Sequence, residues 1–390
     1  MPAYLVIFFS LTLAALLSAV SIPVVIKVSK LKNLYDEPNE RKVNKNIVPT
    51  LGGISIFLSL FLSVIITSKG YAFEELRYIL AAIIIMFFIG LKDDLLIIAP
   101  NKKLLAQITA AILLITLADI RISSLHGFLG IHEINYFVSF LLSVFVYVVI
   151  INAFNLIDGI DGLASGVAII TSLAFGTWFY LIGQIEYAIL SFALIGSLGA
   201  FFYYNVFSKE NKIFMGDTGS LILGVVLTVL MIRFLEMNIE NAAAYTIESA
   251  PAVAFGVLIV PLYDTLRVFG IRILSRKSPF SPDKNHVHHK MLELGYSHKQ
   301  ATFRILLINV FFIGFNYLLQ NIGEFQLLIF NLVFGTFFSL IPAYILFKRS
   351  DHPDKRYFIF HLKPSGSVFS NEKHERQEIN KDKEKEKVFH

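Results

Sequence analysis

The 390-residue chain contains no cysteine, so neither a disulfide framework nor a thiolate metal site is open to it. Charge is scarce too: Asp, Glu, Lys and Arg make up 16% of the residues, where a soluble chain carries roughly a quarter. No P-loop, no dinucleotide-type glycine fingerprint and no internal repeat is found. What fills the space is apolar: 55% of residues are hydrophobic and the mean hydropathy is +0.66. Such a chain needs lipid as its solvent. The net charge of +5 is modest. Its placement along the chain reports membrane orientation rather than nucleic acid binding.

The first apolar run, Tyr4 to about Lys27, exceeds a signal-peptide core and lacks a basic flank before it and a small-residue cleavage site after it. It is expected to remain as a first span. A spanning helix needs about 20 apolar residues. Eleven such stretches are centred near Leu13, Leu60, Ile84, Leu113, Phe145, Leu173, Ile195, Leu227, Leu258, Val310 and Phe334. An all-α, polytopic membrane protein of about eleven transmembrane helices follows, and the odd number puts the termini on opposite sides.

Positive charge assigns the sides. Lys27, Lys30, Lys32, Arg41, Lys42 and Lys45 follow the first stretch, Lys92, Lys102 and Lys103 follow the third, and Lys209 and Lys212 the seventh. Eight more Lys/Arg lie from Arg267 to Arg304. The alternate loops hold Lys69, Arg77, Arg121 and Arg233, so the sides compare as nineteen against four. The N-terminus is therefore expected outside and the C-terminus in the cytoplasm. Residues 1–348 form the membrane domain, and the Lys/Glu-rich segment 349–390, ending near EINKDKEKEK, reads as a disordered cytoplasmic tail.

Every polar cluster then falls in a loop on the cytoplasmic side. Asp93 and Asp94 end the third stretch, where adjacent carboxylates repel unless a cation or proton lies between them. Two acids closing a helix would look the same. In NAFNLIDGIDG, residues three apart share a helical face, so Asn155, Asp158 and Asp161 would form one polar stripe. Gly159 and Gly162 would admit a ligand close to the backbone, although Asp-Gly pairs also form ordinary turns. In FMGDTGS, Thr218 or Ser220 can cap the helix that follows Asp217, leaving its N–H groups as a phosphate site. A plain capping loop is the simpler reading.

HVHH supplies His286, His288 and His289 beside Arg272, Arg276, Lys277 and Lys284. Structural zinc wants four closed ligands and no cysteine or companion pair is available. A phosphate clamp suits these imidazoles better. DEPNERK places Asp36 near Arg41, Lys42 and Lys45, ahead of the Gly52/Gly53 pair. Those cations can attract a lipid phosphate or simply set orientation. Carboxylates for a hard metal, cations for phosphate and carboxamides for a base or sugar, all held against lipid, suit phosphoryl transfer to a membrane-embedded acceptor.

These motifs, in order from the first stretch to the tenth, resemble the polyprenyl-phosphate N-acetylhexosamine-1-phosphate transferase family: DEPNERK with GG, KDDL, NAFNLIDGIDGL, FMGDTGS, and HVHH followed by KMLELGYSHKQA. Asp36, Pro38, Asn39, Arg41, Lys42 and the interrupted His-x-His-His look like its GlcNAc-1-phosphate branch. One departure is Asn44, where that branch commonly carries His.

The resemblance implies a Mg²⁺-dependent enzyme, with Mn²⁺ able to substitute, acting from the cytoplasmic face of the bacterial inner membrane. It would move N-acetylhexosamine-1-phosphate, GlcNAc-1-phosphate first, from a UDP-sugar to undecaprenyl phosphate with release of UMP. That step initiates cell-envelope polysaccharide synthesis, of the cell-wall or O-antigen lipopolysaccharide kind. Asp217 would ligate the metal, and Asp93 and Asp94 would bind metal or deprotonate the acceptor. Asn155, Asp158 and Asp161 would hold the nucleotide-sugar, with Asn205 and Phe214 near the uracil. His286, His288 and His289 would contact the pyrophosphate or sugar phosphate, and Arg41 and Lys42 the lipid phosphate. The resemblance also implies a homodimer, membrane lipid as a partner and no nucleic acid. Direct attack by the lipid phosphate is the expected mechanism, with an Asp nucleophile as the alternative. The rival readings are a transporter with an acidic cytoplasmic-side site and a non-catalytic scaffold. A transporter predicts polar residues at mid-span.

Overall fold

A computed structural model describes residues 2–34, 48–71, 73–96, 98–240, 245–276 and 285–349. Asp36, Arg41, Lys42 and the tail 350–390 lie outside the described residues. Among the described residues the chain is helical throughout, with one isolated strand-like bridge, Ser124 to Glu133. In order, the helices are α1 (Ala3–Leu31), α2 (Gly52–Thr67), α3 (Leu76–Leu96), α4 (Pro100–Leu117), α5 (Tyr136–Ile157), α6 (Leu163–Leu181) and α7 (Ile185–Val206). After them come α8 (Gly216–Glu240), α9 (Ala250–Val257), α10 (Ile259–Leu274), α11 (Val287–Glu293), α12 (His298–Leu318) and α13 (Glu324–Arg349). Every expected stretch meets a helix, but seven are long and apolar enough to cross a membrane, eight if α9 and α10 count as one bent span. Helix α2, with 16 residues, falls short of that length.

Helix α8 is the axis of the bundle. Of its apolar window 94% is buried, against 33% for α1 and 28% for α13 at the periphery. The peripheral helices turn large apolar side chains outward, Phe8 and Phe145 at 63% exposure and Phe337 at 60%, as lipid permits. Where lipid removes any hydrophobic drive between helices, small residues and hydroxyls hold them together. Helices α1, α2 and α7 show this: Ser63 donates to the Ser10 carbonyl at 2.7 Å, Ser59 and Ser197 meet at 2.6 Å, and Ser10 donates to the Ile189 carbonyl at 3.2 Å. At Gly196 the Leu11 carbonyl comes so close that an added Cβ would sit 2.0 Å from its oxygen.

The ninth expected span is not one helix. Its two halves, α9 and α10, meet at 84° around Leu258. Pro261 has no N–H to offer the carbonyl four residues earlier, and its ring would clash with that carbonyl. The carbonyl is that of Val257, which instead accepts from Asn309 Nδ2 at 3.3 Å and from Thr171 Oγ1 at 3.5 Å. A second carboxamide pair, Asn316 with Asn331 at 2.8 Å, ties α12 to α13, and Asn331 also donates to the Ala252 carbonyl of α9 at 3.0 Å. Side chains thereby replace backbone bonds that lipid cannot supply.

The helix directions put the C-terminal ends of α3, α5 and α7 and the N-terminal ends of α4, α6 and α8 at one end of the bundle. Lys69 and Glu210 are exposed at opposite ends. In the cysteine-free chain, Lys69→Cys should be labelled by an impermeant thiol reagent in intact cells and Glu210→Cys should react only after lysis. Labelling of Glu210→Cys in intact cells would reverse the expected orientation.

Candidate active site

The site is built on the first turn of α8. An isolated helix start leaves its first N–H groups without partners, and here the carboxylate of Asp94, reaching across from the end of α3, takes them. It accepts from the Asp217 N–H at 2.7 Å, the Thr218 N–H at 3.0 Å and the Thr218 hydroxyl at 2.5 Å. The expectation of a free, phosphate-binding helix start capped by its own Thr218 or Ser220 is therefore corrected: a neighbouring helix occupies the N–H groups. Glycines allow the approach. A Cβ on Gly90 would lie 2.5 Å from the Thr218 Cα, one on Gly53 2.3 Å from the Gly219 nitrogen, and one on Gly216 2.7 Å from both Asp94 oxygens. Gly216 also adopts φ +71°, a left-handed conformation that glycine enters without strain.

Asp93 and Asp217 face each other across one cation. Lys103 Nζ, from the first turn of α4, lies 3.1 Å from Asp93 Oδ2 and 2.9 Å from Asp217 Oδ2. The other Asp217 oxygen accepts from Asn155 Nδ2, and Asn155 also donates to Ser220 Oγ at 2.9 Å. Asn152, one turn earlier on α5, pairs instead with Gln107 at 2.8 Å.

The polar stripe expected from Asn155 to Asp161 does not form, because α5 ends at Ile157 and Asp158 is its terminal cap. Asn155 points to Asp217, while Asp161 turns the other way. Asp158 keeps part of its surface open, yet poor solvation holds its carboxyl well above the usual carboxylate range, reinforced by the charges of Asp217, Asp94 and Asp161. Asp161 behaves oppositely: burial pushes it up, but His298 and Lys212 outweigh that and hold it below its ordinary value. Its Oδ2 lies 2.7 Å from Lys212 Nζ and 3.3 Å from His298 Nδ1, and its backbone carbonyl accepts from Thr302 at 2.7 Å. Asn205, placed near the uracil by resemblance, is 5% exposed and has both ends of its amide engaged: Gly162 donates to it at 2.6 Å, and it donates to the Ile213 carbonyl at 2.8 Å. Phe214 is half-buried with Lys212 Nζ 5.4 Å above its ring.

The histidines close the other side. His286 precedes α11, and His288 and His289 lie on it, with the His288 and His289 rings 4.3 Å apart. His288 is 2% exposed, and burial lowers its pKa to about 3, so it is neutral. Its Nε2 has no hydrogen-bond partner and presses on the α5–α6 turn, where a Cβ on Gly159 would lie 2.3 Å away. The space spared by Gly159 is thus taken by His288 and not held open for a ligand. His286 Nδ1 meets Asp264 at 2.8 Å, and Arg267 joins the same carboxylate at 2.8 Å.

Four groups in this arrangement escaped the sequence reading. Lys103, Lys212 and Arg267 counted only as orientation charges, and His298 was quoted within a motif without a role. Asp264 was the findable fifth, a lone carboxylate inside the apolar run VLIVPLYDTL, where an acid is expensive unless it has a task.

For a metal, the donors are hard oxygens and suit Mg²⁺ in kind. Among the described residues no three His, Asp or Glu side chains are arranged to enclose an ion. Mg²⁺ does not need that, since it is commonly held by one or two carboxylates with substrate phosphates and water completing the shell. Asp93 and Asp217 fit, because both already face one cationic group. Asp94, assigned to the metal by resemblance, has its oxygens committed to α8.

Carboxylates, lysines and histidines are thus gathered from several helix ends at one end of a multi-pass helical membrane bundle. The profile of Glycosyl transferase family 4 matches residues 76–235, the stretch that contains Asp93 to Asp217. The chain is 31% identical over 282 residues to the undecaprenyl-phosphate alpha-N-acetylglucosaminyl 1-phosphate transferase of Escherichia coli (strain K12), covering 70% of this chain and 73% of that one. Identity to the same-named protein of Yersinia pestis is 30%, over 70% and 74% of the two chains. A Bacillus subtilis (strain 168) protein named as a probable undecaprenyl-phosphate N-acetylglucosaminyl 1-phosphate transferase is 31% identical over 74% of this chain and 78% of its own. The chain belongs to the polyprenyl-phosphate N-acetylhexosamine-1-phosphate transferase family.

The contact between the turn and the histidine helix can be tested directly. Gly159→Ala should displace His288 and lower turnover at least about 10-fold, since a shift of about 1 Å can cost up to about 100-fold, with the helical circular dichroism unchanged. Full turnover in that variant would separate the His288 contact from the working site.

Proposed function

We propose that this protein transfers GlcNAc-1-phosphate from UDP-GlcNAc to undecaprenyl phosphate, giving the undecaprenyl-pyrophosphoryl sugar and UMP, at the cytoplasmic face of a bacterial inner membrane. One observation carries the reading: Asp93 and Asp217 share a single cationic partner, Lys103, at the membrane end where the α5–α6 turn and the histidine segment converge. The names of the relatives supply the acceptor and the sugar. An eleven-span topology with the N-terminus outside, a homodimer, and entry of the product into cell-wall or O-antigen synthesis belong to the same proposal.

A phosphate monoester loses its second proton near pH about 6, so the acceptor is already a charged nucleophile at neutral pH and needs no strong base. Its oxygen attacks the sugar-linked phosphorus of the donor. A new P–O bond forms there as the bond to the bridging pyrophosphate oxygen breaks, and that oxygen leaves with UMP. Asp93 and Asp217 would hold Mg²⁺, which when bound neutralises phosphate charge and favours departure of UMP. Lys103 lies within reach of the same charge and would move from the carboxylates to the donor phosphates. Asp158, whose carboxyl is biased toward its protonated form by burial and by neighbouring carboxylates, would donate a hydrogen bond to a phosphate or sugar oxygen when it carries that proton, and ionised Asp161, fixed by Lys212, shapes the nucleoside side with Asn205 and Phe214. Arg41 and Lys42 are proposed to meet the lipid phosphate.

The deciding assay is UMP release by purified protein from UDP-GlcNAc, undecaprenyl phosphate and Mg²⁺. Activity should vanish in EDTA and return with Mg²⁺ or Mn²⁺. Movement of a solute across vesicles without UMP release would favour a transporter. Three substitutions separate ligand from cap. Asp93→Asn and Asp217→Asn should raise the Mg²⁺ concentration needed for half-maximal turnover at least about 10-fold, whereas Asp94→Asn should leave it unchanged and lower stability by about 1–2 kcal/mol, the usual worth of a lost helix cap. A raised Mg²⁺ requirement in Asp94→Asn would return Asp94 to the metal.

A further inference from the structure

Asp264 sits on α10, 6% exposed, with its two oxygens doing different work. Oδ1 accepts from Arg267 at 2.8 Å and from the Val287 N–H, the first of α11, at 3.2 Å. Among the described residues Oδ2 faces His286 Nδ1 alone, at 2.8 Å. The same Nη2 of Arg267 also donates to the Asn285 carbonyl at 2.6 Å, so the guanidinium, the carboxylate and the start of the histidine helix form one buried unit. A carboxylate paired with an arginine is an acceptor only. The proton between Oδ2 and His286 must therefore be carried by Nδ1, which leaves Nε2 as the basic nitrogen of that ring.

We propose that Asp264 is a positioning residue for the transfer reaction: it locks His286 as the Nδ1–H tautomer, so that Nε2 can take up a proton and meet phosphate charge as it develops. This rests on the proposed phosphoryl transfer, because only that reaction gives the imidazole a charge to meet. The environment of α10 fits the role. Val287 and His288, the first two residues of α11, line an apolar cavity with Asp264, Ile157, Leu163 and Phe312, which keeps water from competing for the carboxylate.

The geometry makes one substitution sharply informative. In Asp264→Asn the two donors Arg267 and Val287 N–H require the amide oxygen at the Oδ1 position. The amide nitrogen then falls at the Oδ2 position, donating to His286 Nδ1. The ring is forced into the opposite tautomer, with its hydrogen on Nε2 and its only lone pair tied up. The volume is conserved and the histidine stays in place, but it can no longer be protonated.

The test measures UMP release by full-length protein for Asp264→Asn, His286→Gln and the double variant. Each single substitution should lower turnover at saturating UDP-GlcNAc by about 100-fold or more, the range of a lost proton-handling group, with KM for the donor changed by no more than about 3-fold. The double variant should be no slower than the slower single variant, because both remove the same function. Melting temperatures of the solubilised variants report any loss of folding from the uncompensated Arg267. A purely structural Asp264 would multiply its loss onto that of His286→Gln, and that outcome would overturn the proposal, as would near-normal turnover in Asp264→Asn. Absence of turnover in the unsubstituted protein would sink the transferase reading and this inference with it, whereas an active parent with an active Asp264→Asn sinks this inference alone.

Discussion

The carboxylate of Asp94 on the first turn of α8 is the contact on which the rest of the site depends. An N–H group left bare at the edge of a membrane has little water to turn to, and each unmade bond costs about 1–3 kcal/mol. Asp94 answers three donors at once. It also carries negative charge to the positive end of a 25-residue helix dipole. Once α3 and α8 are clasped, Asp93 and Asp217, next to the clasp on each helix, have no freedom to part. Two like charges are held together, and Lys103 is what makes that tolerable.

The same clasp explains the glycines of the second helix. The Gly52 and Gly53 N–H groups donate to the Phe214 and Met215 carbonyls, both at 2.9 Å, and the Phe214 N–H returns a bond to the Pro49 carbonyl at 2.8 Å. Backbone lies on backbone, which no side chain at those positions would allow. The pair is thus a packing requirement of the segment leading into Asp217, and through it of the site.

Four of the six carboxylates of the site lie beside a cation. Lys103 answers Asp93 and Asp217, Lys212 answers Asp161, and Arg267 answers Asp264. At Asp158 burial and the charges of Asp217, Asp94 and Asp161 instead hold the carboxyl above its ordinary range. Pairs of this kind are strongly held where water is scarce, because removing one member strands the other. They also leave a site that can exchange its own cations for those a charged substrate brings.

The sequence by itself determined the class of molecule. Its apolar runs demanded helices in lipid, its basic residues favoured one set of loops, and its acidic and histidine motifs lay within those loops, because burial in lipid constrains composition residue by residue. Which carboxylate does what was decided only in three dimensions. Asp93 and Asp94 are neighbours in sequence and indistinguishable there, yet the rotation of α3 sends one to Lys103 and the other to the start of α8. The helical spacing of Asn155, Asp158 and Asp161 promised one face, but α5 ends before it can be presented. Pro261 lies within the ninth expected span, and the 84° bend it permits depends on Asn309 and Thr171 arriving from other helices to satisfy the freed Val257 carbonyl. Spacing along a chain fixes what can share a helix face, and only packing between helices fixes what faces it.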